Sequence, residues 1–290
     1  MVRRRTLPLL LAAATGAADP VTFTRIPSMQ RTAHGYAGFG IPSLLSTRGQ
    51  LFAFVEGRKF SCADAPGQHD LLCQRSDDGG AAWTNCSDDG LALVDVGREW
   101  GPRCAGKATT CAVWDPTPVA ERSSGKIFVF FSLSPPGMTT FAHSLMLIES
   151  ATLGRTWTPP RNLSAELTTL PPGYQGTFTG NPGLQLASGR LVVPMYHVTP
   201  ENKSVWPDVM EWQGTLVSDT RGASWRVGAL QYAEGTAEGA IAQLGDGPDH
   251  LLAAMRIDEL LHPCEPPPTL YSPAGESTHS AQLRAADLYE

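Results

Sequence analysis

The sequence predicts an all-β fold made of repeated antiparallel units, and three observations support this. The chain of 290 residues contains 29 glycines and 24 prolines, which suits a compact fold with many tight turns. An eight-residue pattern recurs along the chain at similar spacing. Strand-like runs flank each copy of it, whereas no convincing amphipathic helix precedes about residue 275.

The recurring octet is the most informative feature of the chain. Its copies read SDDGGAAW at 76–83, SATLGRTW at 150–157 and SDTRGASW at 218–225. Serine and aspartate side chains can bind nearby backbone amides, glycine can adopt a positive φ, and tryptophan can pack on the core. Each copy therefore predicts a hairpin turn within one repeated unit.

Apolar runs supply the strands of these units. LLCQRS, HSLMLIES and GTLVS lie just before the three octets, and further candidates are KIFVFFSLS, GRLVVPMYHV and HLLAAMRI. The runs are short and bounded by glycine and polar residues, as in sheets rather than helices.

The N-terminus predicts a signal peptide over residues 1–18. Three arginines precede an apolar run and small residues, with cleavage after Ala18; the alternative is a disordered basic start. The run is too short to span a bilayer, and no later stretch is long enough either, so we expect no transmembrane segment. Sequons at Asn85, Asn162 and Asn202 agree with the secretory pathway, with a secreted, lysosomal or cell-surface destination.

Charge and cysteine content exclude some classes of function. A net charge of −6 argues against nucleic acid or anionic membranes as partners. The six cysteines permit up to three disulfides. We expect a Cys62–Cys73 bridge across the loop that bears Asp64, with Cys104–Cys111 as a second candidate. The chain lacks CxxC and HExxH motifs, so a zinc site is not expected.

The ordered motifs resemble the exo-α-sialidases, or neuraminidases, across approximately residues 36–257. The octets look like Asp-box repeats, although threonine replaces the aspartate in the second and third, which predicts looser turns. FGIP at 39–42 stands where the family has Phe/Tyr-Arg-Ile-Pro, and LFAFVEGR leads towards the position of the family's acid. The resemblance implies a six-bladed β-propeller, of which about four blades are represented here, over residues 19–262. Residues 263–290 form a divergent proline-rich tail.

The resemblance also implies a reaction, the removal of terminal sialic acids from glycoproteins, glycolipids or oligosaccharides without a metal or organic cofactor. Arginines bind the substrate carboxylate, an acid protonates the leaving oxygen, and a tyrosine activated by a glutamate attacks the sugar. Asp64 matches the acid/base, and Arg58 matches an auxiliary arginine near the carboxylate. Read without the family, these would be a solvated loop aspartate and a salt-bridged arginine at a strand end.

A second group of candidates lies later in the chain. Glu238 matches the base that activates the tyrosine, with Glu234 as a nearby competitor. Arg256 matches a carboxylate-binding arginine, and its alternative is a plain surface arginine. Asp115 and Tyr196 are further candidates for the pocket. Sialylated glycans are the expected partners, and the sequence does not predict the oligomeric state.

Two departures from the family pattern weaken the prediction of an active enzyme. Gly40 stands where the family has its first carboxylate-binding arginine, so restoring Gly40→Arg is expected to improve sialic-acid binding by a factor of about ten or more. The family's third arginine and nucleophilic tyrosine have no match, since Tyr271 and Tyr289 lie in no recognisable motif. The alternatives are a non-catalytic propeller that binds sialoglycans and a structural Asp-box protein without a sugar site.

Overall fold

The computed structural model describes residues 26, 29, 33–64, 67–88, 90–109, 111–134, 136, 143–167, 175–199, 210–228, 236–244, 250–257 and 280–284. Strands account for most of this part of the chain. Its helical segments are α1 (Val96–Trp100) and two 3₁₀ turns at Ala33–Gly35 and Pro102–Cys104. The predicted all-β fold is therefore confirmed.

The strands form successive antiparallel units, which we call blades 1 to 4. Blade 1 contains β1 (Gly38–Thr47), β2 (Gln50–Arg58), β3 (His69–Ser76), β4 (Thr84–Asn85) and β5 (Ala92–Val94). Blade 2 contains β6 (Ala112–Ala120), β7 (Ile127–Ser134), β8 (Ser144–Ser150) and β9 (Arg161–Asn162). A single parallel pair, His69 with Ala112, joins these two blades where β3 and β6 begin.

Blades 3 and 4 repeat the same meander. Blade 3 contains β10 (Gln175–Phe178), β11 (Leu184–Gln185), β12 (Leu191–Thr199), β13 (Met210–Ser218) and β14 (Arg226–Val227). Blade 4 contains β15 (Thr236–Gln243), β16 (His250–Ile257) and β17 (Ser280–Arg284). The described residues therefore form four antiparallel units, in agreement with the prediction of about four blades.

The hydrophobic core lies between neighbouring blades and follows the two-residue period of the strands. In β7, Phe131 packs with Phe52 and Phe54 of blade 1. The preceding residue, Phe130, packs on the opposite face with Phe178 and other residues of blade 3. All eight residues of β7 are buried, because successive side chains of this strand serve two different cores.

The three octets form the predicted turns, and the second and third pack against the preceding blade, at Phe52 and Phe128 respectively. In each turn the serine hydroxyl accepts from the glycine amide, at 2.8, 2.9 and 2.8 Å. Asp78 Oδ1 accepts from the Ala82 amide at 2.9 Å, and the hydroxyls of Thr152 and Thr220 accept the equivalent bond at 2.9 and 2.8 Å. The threonine turns are therefore closed as tightly as the aspartate turn, contrary to expectation.

The structure corrects one of the two expected disulfides. Cys104–Cys111 is present, but Cys73 pairs with Cys86 rather than with Cys62. Cys73 lies four residues along β3 from the end near Cys62, which corresponds to roughly 13 Å of strand. Cys86 directly follows β4, which pairs beside Cys73, so the two Cα atoms lie 5.4 Å apart. Cys62 is an exposed free thiol within the described residues.

Several predictions fall outside the described residues. These are the signal peptide at 1–18, the sequon at Asn202, the competitor Glu234, the tail tyrosines Tyr271 and Tyr289, and most of the proline-rich tail. Asn85 and Asn162 are described and exposed. No helix within the described ranges is long and apolar enough to cross a membrane.

Candidate functional site

The candidate site lies on one face of blade 1, where β2 ends and β3 begins. Strand register sets this face: Gly40 is opposite Glu56, Gly38 is opposite Arg58, and Arg58 is opposite His69. Side chains at directly paired positions project from the same side of a sheet. The two glycines carry no side chain on that side, where Arg58 and Cys62 occupy the space beside them.

Arg58 is the central charged group of the site. Its side chain is only 10% exposed, and its Nη2 lies 3.0 Å from Glu56 Oε2 and 2.5 Å from Asp64 Oδ1. Its Nη1 donates to the Cys62 carbonyl at 2.9 Å. The guanidinium therefore ties the end of β2 to the loop that carries Asp64.

Gly40 gives Arg58 the space that it occupies. A Cβ atom at position 40 would lie 2.3 Å from Arg58 Nη2 and 2.6 Å from its Cζ. A guanidinium from the neighbouring strand thus occupies the space beside position 40. This changes the expectation for Gly40→Arg, since an added side chain would collide with Arg58 before reaching any ligand.

Asp64 lies in the loop after β2, as predicted, and its side chain is 76% exposed. Arg58 holds the carboxylate at the surface end of the site, where a ligand from solvent can reach it. The predicted pair of Arg58 and Asp64 is therefore brought together as an ion pair.

Glu56 is a functional candidate that the sequence analysis missed. Its side chain is fully buried, and its Oε1 accepts from the Asp115 amide at 3.0 Å. Burial raises the pKa of Glu56 to about 7, against the opposing effects of the Asp115 hydrogen bond and Arg58. The signal was present in the two-residue spacing of Glu56 and Arg58, which places both on one face of β2.

His69 is a second candidate that the sequence analysis missed. It is buried beside Arg58, with Nδ1 3.9 Å from Glu56 Oε2, and its ring contacts Trp114 edge-on at 4.9 Å between centroids. Burial, followed by the charge of Arg58, lowers the pKa of His69 to about 4. The imidazole is therefore neutral at pH 7, and no single motif in the sequence marks it.

Asp115 contributes its backbone amide, which donates to Glu56. It lies at a β-bulge in β6 with φ of 54° and is buried. Ile41, at the bulge in β1, has φ of 44°, and a Cβ on Gly180 would lie 2.2 Å from Ile41 Cγ2. Positive φ is unusual for a β-branched residue, and such strain concentrates at functional sites.

Glu238 and Arg256 form the second predicted group. Glu238 is half-buried at a bulge in β15, where Ala237 pairs with Arg256 of β16. Residues 180 and 181 lie between this group and Asp115. Asn181 Nδ2 donates to the Gly239 carbonyl at 3.3 Å, and the adjacent Gly180 lies next to Asp115. Tyr196 is buried in β12, opposite Gln213, which lies against Gly239.

A separate polar cluster lies on the other face of blade 1. Asp70 accepts from the Tyr36 hydroxyl at 2.8 Å and from the Val96 amide at 2.9 Å, and it pairs with Lys59 at 3.0 Å. Burial, followed by the charge of Asp70, raises the pKa of the Tyr36 phenol. The contacts fix α1 to blade 1 and make Tyr36 a structural residue.

Within the described residues, no group of three or more His, Cys, Asp or Glu could hold a metal ion. An open apolar cavity of about 350 Å³ at Phe39 and Val55 lies on the face away from Arg58. A second cavity, of about 390 Å³, lies beside Trp157. The strand-end cluster around Arg58 is therefore the arrangement best suited to an anionic ligand.

Comparisons with known proteins identify the family. A family model for a BNR repeat-like domain matches residues 49–262. A sialidase from Micromonospora viridifaciens is 28% identical over 231 residues, covering 73% of this chain and 32% of that protein. The structure of Hadza microbial sialidase Hz136 aligns with a TM-score of 0.65 at 20% identity, covering 78% of this chain and 43% of that one.

A structure of Trypanosoma rangeli sialidase in complex with sialic acid is also similar in fold. It aligns with a TM-score of 0.57 at 16% identity, covering 76% of this chain and 34% of that one. The chain thus spans about a third to less than half of the length of the relatives that it matches. With the BNR-repeat match over most of the chain, these comparisons show that the chain belongs to the sialidase family.

Proposed function

We propose that the protein acts on terminal sialic acids of glycoproteins, glycolipids or oligosaccharides as an exo-α-sialidase. The observation that carries this proposal is the ion pair between exposed Asp64 and largely buried Arg58 at the end of β2. A guanidinium suits the carboxylate of sialic acid, and an adjacent acid suits protonation of the leaving oxygen. The sialic-acid complex of the Trypanosoma rangeli relative supports the ligand class.

The residue roles in this proposal follow from position and chemistry. Asp64 is the acid that protonates the leaving group, and Arg58 and Arg256 bind the substrate carboxylate. Glu238 is the base of the proposed reaction, and the nucleophilic tyrosine that the family pairs with it has no match in the sequence. Asp115 and Tyr196 line the pocket beside these groups.

Turnover of a fluorogenic sialoside tests the hydrolase proposal. Asp64→Asn should lower kcat by about a hundredfold or more, the usual contribution of a positioned acid. Asp77→Asn is a matched control, because Asp77 is an exposed acid in the first octet that pairs with Arg75. Equal loss in both variants, or no turnover by the wild type, would contradict the proposal.

A second candidate function is sialoglycan binding without hydrolysis. Gly40 favours it, because the side chain at this position supplies no carboxylate contact. Specific binding of sialylated over desialylated glycans, without release of sialic acid, would support this candidate. The absence of both binding and turnover would favour a structural Asp-box protein.

The two disulfides favour an oxidising compartment, where such bonds form and persist. We propose the secretory pathway, with a mature N-terminus near Asp19 and glycans at Asn85 or Asn162. Mass spectrometry of the protein from a secreting eukaryotic host should find that N-terminus and at least one glycan. Intact Met1 on an unglycosylated chain is the contrary result.

A further inference from the structure

The two acidic partners of Arg58 differ sharply in exposure. Glu56 is fully buried and is also held by the Asp115 amide, so it is a permanent partner of the guanidinium. Asp64 is 76% exposed and bonds the same Nη2 atom from the solvent side. Water competes for the Asp64 carboxylate, which lies in solvent, and a partner exposed in this way adds little net stability. Asp64 is therefore the partner that another carboxylate can replace.

The position of Arg58 depends on the glycines opposite. A Cβ atom on Gly40 would overlap Nη2, and one on Gly38 would lie 3.1 Å from Cys62 Sγ in the neighbouring loop. Gly40 has no left-handed φ that would require glycine, unlike Gly49 in the following turn. Space for the guanidinium is thus the physical reason for glycine at position 40.

We propose that Arg58 takes the place of the arginine absent at position 40, and that Asp64 is its resident counter-ion, which a ligand carboxylate displaces. This inference rests on the proposed recognition of sialic acid. The exchange replaces one carboxylate by another on Nη2, so the charge around Arg58 is conserved while Glu56 stays in place. The displaced Asp64 side chain is released towards solvent beside the bound sugar, where its role as the acid requires it.

The test is a titration of N-acetylneuraminic acid, followed by ligand-observed NMR, with the wild type and Asp64→Asn. Removal of the competing carboxylate should lower Kd by about threefold or more, as expected for the loss of an exposed ion-pair competitor. The methyl ester of the sugar, which has no carboxylate charge, should bind both proteins alike. Asp64→Asn alters an exposed loop residue, so folding should be preserved.

Two further variants separate displacement from a general charge effect. Glu99→Gln also removes one negative charge, on α1, where its partner is Arg98. Its Kd for the acid should change by less than about twofold, since surface charges are screened. In an Arg58→Gln background, Asp64→Asn should likewise change Kd by less than about twofold, because the cation that couples the two carboxylates is absent.

The possible outcomes distinguish the inference from the proposed function. Tighter binding of the acid by Asp64→Asn, dependent on Arg58 and absent with the ester, supports displacement. Unchanged or weaker binding by Asp64→Asn overturns displacement and leaves sialic-acid recognition intact. Failure of both proteins to bind the acid overturns the proposed function and, with it, the displacement that rests on it.

Discussion

Gly40 illustrates how one residue acquires its importance from a neighbouring side chain. From the family pattern alone, glycine at this position removes a carboxylate-binding arginine. In the folded chain the space is filled by Arg58, with Nη2 2.3 Å from where a Cβ would lie. An arginine restored at position 40 would therefore displace an existing guanidinium, and the expectation of tighter binding no longer holds.

Gly40→Ala should lower the free energy of unfolding by about 1–3 kcal/mol, because the added methyl group overlaps the buried Arg58 side chain. Gly38→Ala is the matched control on the same strand, since its Cβ meets nothing closer than 3.1 Å. Its cost should be smaller. Urea unfolding of both variants measures the difference, and equal stability of Gly40→Ala and the wild type would show that Arg58 does not need this space.

The titration of Glu56 predicts a pH dependence of stability. Its pKa is raised from 4.5 to about 7 by burial, so between these values the folded protein holds a proton that the unfolded chain releases. The contribution of Glu56 to stability therefore falls as pH rises from about 4.5 to about 7. Glu56→Gln should remove this decline. Across this pH range, the free energy of unfolding of the variant minus that of the wild type should therefore increase by on the order of 1–3 kcal/mol.

Chemical unfolding at a series of pH values measures that difference. His69 has the opposite dependence, because its lowered pKa makes stability increase with pH between about 4 and 6.5. His69 Nδ1 lies 3.9 Å from Glu56 Oε2, so the comparison is repeated in a His69→Gln background, where this imidazole does not titrate. A difference that is independent of pH would mean that Glu56 is ionised throughout this range.

Part of the site could be predicted residue by residue, and part could not. Arg58 and Asp64 follow from motifs that are local in sequence. Glu56 and His69 depend on burial and on the pairing of β2 with β3, which a motif does not reveal. The role of Gly40 depends on the rotamer of Arg58, so it becomes visible only when both strands are placed.

At the level of the element, the octets show that a turn can keep its geometry with a different side chain. Thr152 and Thr220 replace aspartate, yet their hydroxyls accept the amide bond at 2.9 and 2.8 Å. The glycine is less replaceable. Gly154 has φ of 74°, and its Cβ would lie 2.3 Å from Phe52 of the preceding blade.

Gly154→Ala should therefore destabilise the protein through both backbone strain and overlap with Phe52. Gly79 is a closely matched control, because it has the same φ of 74° and a Cβ there would meet nothing within 4 Å. Gly79→Ala should cost about 1–2 kcal/mol for the left-handed backbone. Gly154→Ala should cost about 1–3 kcal/mol more, from overpacking.

Thermal or urea unfolding of the pair isolates the packing term. Equal destabilisation would mean that the second octet does not pack tightly against blade 1.

The strands and turns themselves were predictable, because apolar runs and the octet pattern are local. The Cys73–Cys86 bridge was not, since β4 is two residues long and its pairing with β3 leaves little trace in the sequence.

For the whole molecule, β7 is one of the blade 2 strands that connect the packing of three blades. Phe131 faces the core shared with blade 1, and Phe130 faces the core shared with blade 3. The alternation was visible in the apolar run KIFVFFSLS, but a continuous apolar run does not reveal which neighbours it contacts. Long-range packing of this kind is set by the order of the blades rather than by any single motif.

Phe130→Ala and Phe131→Ala should therefore destabilise different parts of the molecule. Each variant truncates a fully buried phenylalanine of β7, so each should lower the free energy of unfolding by about 3–5 kcal/mol. Hydrogen exchange under native conditions measures protection strand by strand. In the wild type the amides of β7 should exchange more slowly than those of β4 or β14. Phe131→Ala should lower protection most in β2 and β3, whereas Phe130→Ala should lower it most in β12 and β13. The two cores lie on opposite faces of blade 2, where β6, β7 and β8 each contribute side chains to both, so loss of packing on one side should open that side first. An identical pattern of lost protection in both variants would show instead that the four blades unfold as one cooperative unit.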